Sequence, residues 1–173
     1  MEETFAKYIN VNGELMDLSR PQVMGILNVT PDSFYADSRK QAEEDIVNRV
    51  HQIIEEGGCI IDIGAYSSRP DAEDVSPEEE MKRLKHGLQV IRREFPDAIV
   101  SADTFRADVA RMCVEEYGTA IINDISAGDL DANMFSTVAK IEKCPTSWCT
   151  CREIHKNMQK NPHYQHPVKE NHP

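Results

Sequence analysis

Four short polar clusters in this chain carry the residue types that bind and activate a charged small molecule: Asn28–Thr30–Asp32, Ser67–Ser68–Arg69, Asp103–Thr104 and Asn123–Asp124. A carboxylate such as Asp103 accepts two hydrogen bonds from an amidine-like N–H/NH2 edge, and an Asn such as Asn123 both donates and accepts. The pair suits a flat heterocycle with a 2-amino-4-oxo edge. Asp and Asn are also favoured helix N-caps, so capping of the helices that follow is the competing reading. Ser67, Ser68 and Arg69 offer two hydroxyls and a guanidinium, whose planar fork of N–H donors matches phosphate or carboxylate. A solvated surface turn would use the same residues. Asn28, Thr30 and Asp32 set hard oxygens close together. A Mg2+ shared with a substrate diphosphate needs only one or two protein oxygens, and an ordinary turn is the alternative.

Each cluster sits at the end of an apolar run: Val23–Val29, Cys59–Ile63, Ala98–Ser101 and Ala120–Ile122. Helical patterns separate the runs. Over Gln41–Glu56, Ile46, Val50, Ile53 and Ile54 share one face, and Gly57–Gly58 stops the helix. Ser76-Pro77-Glu78-Glu79 is a helix start with a Ser cap and Pro at the first position. Met81, Leu84, Leu88 and Ile91 then give a buried stripe up to Phe95-Pro96. Arg106–Tyr117 is a third helix, stopped by Gly118, and Ala132–Ala139 a short fourth. This βαβαβαβα order predicts an α/β fold of parallel strands with right-handed crossovers. All four clusters then lie on one rim of the sheet, the rim where a (β/α)8 barrel does its chemistry. The polar stretches 32–40 and 64–76 have the length of active-site loops. Ahead of the first strand, Ile9 to Leu15 predicts a small hairpin turning at Asn12–Gly13, placed to plug one end of a barrel.

The chain has 173 residues and a net charge of −11. A closed barrel needs about 250 residues, so the units make about half a barrel or a smaller open sheet. The acidic balance argues against nucleic acid or an anionic membrane as partner. No apolar run approaches the ~18–20 residues of a membrane helix. The acidic Met1-Glu-Glu-Thr start lacks a signal-peptide pattern, and a cytoplasmic location is expected. Cys59 and Cys113 sit in apolar contexts and are expected as core thiols. His51 and His86 occupy charged helix positions, expected exposed and without a role.

Met24-Gly-Ile-Leu-Asn-Val-Thr-Pro-Asp-Ser-Phe34 resembles the first signature of the dihydropteroate synthase family, and Asp62-Ile-Gly-Ala-Tyr-Ser-Ser-Arg-Pro70 the second. Ser101-Ala-Asp-Thr-Phe105 and Ile122-Asn-Asp-Ile125 resemble the third and fourth strand ends. The resemblance runs from about Val23 to Ala139. It implies a TIM barrel, with 1–140 as its N-terminal half. It also implies an enzyme that joins p-aminobenzoate to hydroxymethyl-dihydropterin diphosphate in folate biosynthesis, working as a homodimer when full-length. Carried over, Asn28 would ligate Mg2+, while Ser68, Asp103 and Asn123 would contact the pterin, with Ile125 lining its pocket. Asp32, Phe34, Ser67 and Arg69 would lie on two loops closing over diphosphate and p-aminobenzoate, with Thr30 beside the substrate. Asp103, Arg69 and Asp32 would carry catalysis. The second signature departs from the family at Ala65, Tyr66, Ser68 and Asp71. Ser68 keeps the family's hydroxyl, and Tyr66 removes a loop charge.

From Lys143 to Arg152 the sequence changes character: three of five Cys and the only Trp fall there. The resemblance calls for an apolar fifth strand at that place. Read two bases later, codons for Cys144–Cys151 permit Pro-Tyr-Ile-Met-Val-His-Met, so a frameshifted, irregular tail over 141–173 is expected. A metal site from Cys144, Cys149, Cys151 and His155 or His163 competes, but its Cys-x4-Cys-x-Cys spacing lacks the second Cys-x2–4-Cys pair of the usual knuckles. The family's second pterin carboxylate, its lysine and its Arg and His anion contacts would all fall past residue 173. The chain alone is therefore expected to lack synthase activity and to fold poorly or self-associate. The other readings are a non-catalytic half-barrel binding module and a pterin-binding methyltransferase domain. The Leu-Asn-Val-Thr-Pro-Asp-Ser-Phe run favours the synthase over the latter.

Overall fold

A hairpin comes first. β1 (Tyr8–Val11) and β2 (Glu14–Asp17) pair antiparallel, and the chain turns at Asn12 (φ 52°) and Gly13 (φ 93°). Two consecutive positive φ values are the requirement of a tight hairpin turn, which Asn-Gly meets at little cost. The computed structural model describes residues 8–29, 36–66, 75–141 and 146–148.

A parallel sheet follows, in the order β3 (Met24–Asn28), β4 (Ile60–Gly64), β5 (Ile99–Asp103), β6 (Ile121–Asp124) and β7 (Thr146–Trp148). Helices α1 (Ala36–Glu55), α2 (Pro77–Glu94), α3 (Ala107–Tyr117) and α4 (Met134–Val138) make the crossovers. Alternate strand residues Leu27, Ile61, Ile63, Val100, Ala102 and Ile122 pack into one core with Val50, Leu84, Leu88, Ile91 and Val109 of the helices. The Ser76 hydroxyl accepts from the Glu79 N–H at 3.2 Å, fixing the start of α2 as expected. A Cβ at Gly87 of α2 would lie 2.6 Å from Ile63 Cδ1 and 3.0 Å from Val29 Cγ1, so the helix rests directly on the sheet there. Gly87→Val is expected to overpack this contact and cost about 1–3 kcal/mol. An unchanged urea midpoint would contradict it.

The opposite strand face is apolar only at its N-terminal end. There Ile60, Ala120 and Ile121 cluster with Val11, and Ile9, Met16 and Ile99 pack against them. The hairpin thus closes the bottom of the sheet's inner face, and the other end carries the polar residues.

Several expectations shift. α1 begins at Ala36 rather than Gln41, since no Gly or Pro between Phe34 and Gln41 interrupts it. α4 begins at Met134 rather than Ala132, because the Asp131 carboxylate holds a turn through the Asn133 N–H at 2.9 Å. His86 is half-buried rather than exposed: α2 lies between α1 and α3, so its flanks are covered. Cys113 is fully buried, and that burial pushes its thiol up to about 12. Cys59 is half-buried, donating to Gln22 Oε1 at 3.2 Å. Within the tail expected to be irregular, Thr146–Trp148 forms a strand, with Ile122, Asn123 and Asp124 opposite Thr146, Ser147 and Trp148. Thr and Trp are β-prone, and the edge of β6 offers the backbone partners. Cys144, Cys149, Cys151, His155 and His163, with the rest of the frameshift reading, lie outside the described residues. Among the described residues no helix is long and apolar enough to cross a membrane.

Candidate active site

Parallel register sets Asn28, Gly64, Asp103 and Asn123 level with one another across four strands, at their C-terminal ends. Two residues lower, Ile26, Asp62, Ser101 and Ile121 form the next level of the same face. Gly64 matters for what it lacks. A Cβ there would come 3.4 Å from Asp103 Oδ2 and 3.6 Å from Asn28 Oδ1, so those two side chains stand on either side of the Gly64 backbone. Asn123 reaches across β5 to donate from Nδ2 to Asp62 Oδ2 at 3.1 Å.

The helix starts nearby are held by other groups. The Ala107 N–H of α3 donates to Asp131 Oδ2 at 2.8 Å, and the Arg106 N–H to Thr104 Oγ1 at 3.2 Å. Asn133 precedes α4. Asp124, by contrast, is buried and structural, accepting from the Ser126 N–H and Oγ at 2.8 Å each and from the Gly128 N–H at 2.9 Å. Asp103 and Asn123 are thus left on the inner face. Ile125 follows β6 at the same rim, half-buried. The structure brings Asn28, Asp103, Asn123 and Ile125 to one end of the sheet. Thr30, Asp32, Phe34, Ser67, Ser68 and Arg69 lie outside the described residues.

The site is strongly acidic. Burial raises Asp103 to about 7, and the nearby carboxylates of Asp62, Glu80 and Asp124 add to the rise. Its carboxyl is therefore poised between donor and acceptor near neutral pH. Asp62 is 6% exposed, and its Oδ1 has no hydrogen-bond partner among the described residues. The fully buried Ser101 Oγ, on the adjacent strand at the same level, has none either.

Two features were not singled out from the sequence. Asp62 was visible as a lone acid inside the apolar run 59–63. The other is a buried cluster behind Asp103. Glu80 of α2 accepts from Thr104 Oγ1 at 2.7 Å and pairs with the Arg106 guanidinium. Arg106 also donates to the Val75 carbonyl at 2.7 Å and lies over Phe105, 4.8 Å from the ring centroid. Tyr66 meets Phe105 edge-on at 5.3 Å, with the Arg106 guanidinium 5.5 Å from the Tyr66 ring. In place of a loop charge, Tyr66 thus supplies a ring to a cation–aromatic stack.

Among the described residues no group of three or more His, Cys, Asp and Glu is arranged to hold a metal. Asn28 presents one hard amide oxygen on an exposed side chain. That donor fits a Mg2+ that fills the rest of its shell from water and phosphate.

Residues 24–172 match the family described as pterin binding enzyme. The chain belongs to this family. The pterin binding enzyme match takes in the tail as well as the four βα units. The chain is 41% identical over 142 residues to the mitochondrial folate synthesis bifunctional protein of Arabidopsis thaliana, covering 80% of this chain and 26% of the relative. Among solved structures, it resembles the Yersinia pestis dihydropteroate synthase, determined with a sulfonamide drug complex. That match has a TM-score of 0.77 and 34% identity over 94% of this chain and 58% of the other. It also resembles the Xanthomonas albilineans dihydropteroate synthase, determined with 4-aminobenzoic acid, at a TM-score of 0.75 and 31% identity over 96% of this chain and 57% of the other. The chain therefore spans little more than half the length of the synthase structures it matches, and the fold they share with it is the TIM barrel.

Proposed function

We propose that this protein acts in dihydropteroate synthesis and that this chain supplies the pterin-binding wall of the site. The observation that carries the reading is the placing of Asp103 and Asn123 side by side on the inner face, at the C-terminal rim of the parallel strands. A pterin offers a 2-amino group and adjacent ring nitrogens to such a pair. In the reaction, the bond between the pterin methylene carbon and the diphosphate oxygen breaks, and the electron pair leaves with diphosphate. The amine nitrogen of p-aminobenzoate then forms the C–N bond with its lone pair and loses a proton to water. Asp103, ionised beside the pterin, would stabilise the positive charge on the ring and methylene. Asn28 would hold Mg2+, which when bound supplies positive charge to the departing diphosphate. Ser68 would reach the pterin, and Ile125 would line its pocket. Thr30, Asp32, Phe34, Ser67 and Arg69 would serve diphosphate and p-aminobenzoate from the two loops. A homodimeric assembly and a cytoplasmic location belong to the same proposal.

Titrating 6-hydroxymethylpterin with the 173-residue chain tests this by pterin fluorescence. The chain is expected to quench it saturably. Asn123→Ala should weaken binding about tenfold, the scale of one well-placed hydrogen bond. Fluorescence that stays constant up to millimolar protein would rule the reading out for this chain.

A further inference from the structure

Asn123 can meet a ligand in two orientations, with its carbonyl oxygen or its NH2 turned toward the pocket. A carboxylate oxygen accepts, so the end of the amide that faces Asp62 Oδ2 is the NH2. The structure has that arrangement, with Nδ2 donating to Asp62 Oδ2 at 3.1 Å. Asp62 is itself enclosed by the sheet. It sits mid-strand in β4 with Ile61 and Ile63 buried on either side of it in sequence, and only 6% of it is exposed. The carboxylate is reached from a strand two places away, with Ser101 of β5 between, so among the described residues its bond belongs to no local turn or cap.

We propose that Asp62 is a specificity-determining residue that acts through Asn123, locking its amide so that the carbonyl oxygen faces the ligand and the site selects a 2-aminopteridine edge over its 2-oxo counterpart. The inference rests on the pterin-binding reading given above. With the amide locked, Asn123 offers its oxygen first and keeps one N–H in reserve. Asp103, level with it on β5, offers carboxylate oxygens. A 2-amino group beside a ring N–H satisfies both. A 2-oxo group would set a carbonyl oxygen against those oxygens, leaving buried acceptors facing one another.

Asp62→Asn is the informative change. It preserves side-chain size and can still meet Asn123, but it can present either an oxygen or an NH2. Asn123 is then free to turn over. The experiment compares binding of 6-hydroxymethylpterin and 6-hydroxymethyllumazine to the full chain and to Asp62→Asn. The unmodified chain is expected to prefer the pterin. The variant should lose about tenfold of that preference, the effect of one hydrogen bond no longer enforced, with pterin affinity falling less. A variant that folds and keeps the full preference overturns the inference and leaves the pterin reading intact. A second measurement needs neither variant nor ligand: solvent exchange of the Asn123 side-chain amide protons by NMR. One of the two should be protected by the bond to Asp62. If both exchange at the rate of a free amide, the lock does not exist and the inference falls. If the proton is protected but the chain binds neither pteridine, the lock stands and the pterin reading falls.

Discussion

Replacing Arg106 by Ala is expected to destabilise the fold by about 3–5 kcal/mol, the scale of a buried ion pair that loses one member. Glu80 is fully buried. Its carboxylate is held there by the Arg106 guanidinium and by Thr104 Oγ1 at 2.7 Å. Without Arg106 the charge has, among the described residues, one neutral donor and no counter-ion. Arg106→Ala also removes the bond to the Val75 carbonyl and the packing on Phe105 and Tyr66. Tyr66 and Val75 stand at the two ends of the stretch 67–74 that carries Ser67, Ser68 and Arg69. The same pair that stabilises the fold therefore also fixes where that stretch leaves and rejoins the barrel. Converting both members together, Glu80→Met with Arg106→Met, should cost far less than Arg106→Ala, since no charge is then stranded. Urea midpoints of the three variants check this. A loss under about 1 kcal/mol for Arg106→Ala would mean that solvent reaches Glu80.

The parallel series, the hairpin and the helix faces were legible because apolar periodicity is a local signal. Ile46, Val50 and Ile53 sit where their spacing put them, while Ile54, grouped with them from the sequence, is exposed. The site was legible by residue type, through Asp103 and Asn123 at successive strand ends, but not by pairing. The partner of Asn123 is Asp62, 61 residues away, and no local pattern joins them. Glu80 is a different case. It lies four residues before Leu84 and eight before Leu88, in phase with the buried stripe of α2. Three consecutive Glu at a helix start also suit the helix dipole, and that local explanation hid the one of the three that points inward. α4 fell short of its expected start for a similar reason. Helix ends depend on which side chains take the free N–H groups, and for Asp131 those lie on two different elements. β7 was not legible, because Thr146–Trp148 gains its partners from the free edge of β6 and not from its own alternation.

Asp103→Asn should make the chain more stable at pH 8 and a poorer pterin binder at the same time. Burial, with Asp62, Glu80 and Asp124 close by, raises the Asp103 carboxyl from an ordinary 3.8 to about 7. Between those two values the folded chain keeps a proton that the unfolded chain has lost. The unfolded state then binds fewer protons, so stability declines as pH rises from about 4 to about 7 and levels off above. Asn has no such proton. The advantage of Asp103→Asn is therefore absent near pH 4, grows through pH 5–6 and reaches about 2–4 kcal/mol at pH 8. Denaturant melts at pH 4, 6 and 8 measure it, and a difference independent of pH would mean that the gain has another source than the buried charge. A ligand that brings donors or positive charge to Asp103 would offset the cost of burying that charge. Asn at this position puts an N–H or a neutral oxygen where a carboxylate would meet the 2-amino edge. Pterin affinity should fall about ten- to hundredfold, the range for a hydrogen bond to a charged group. A variant that gains the stability and still binds pterin fully would separate the two effects and remove Asp103 from the pterin contacts.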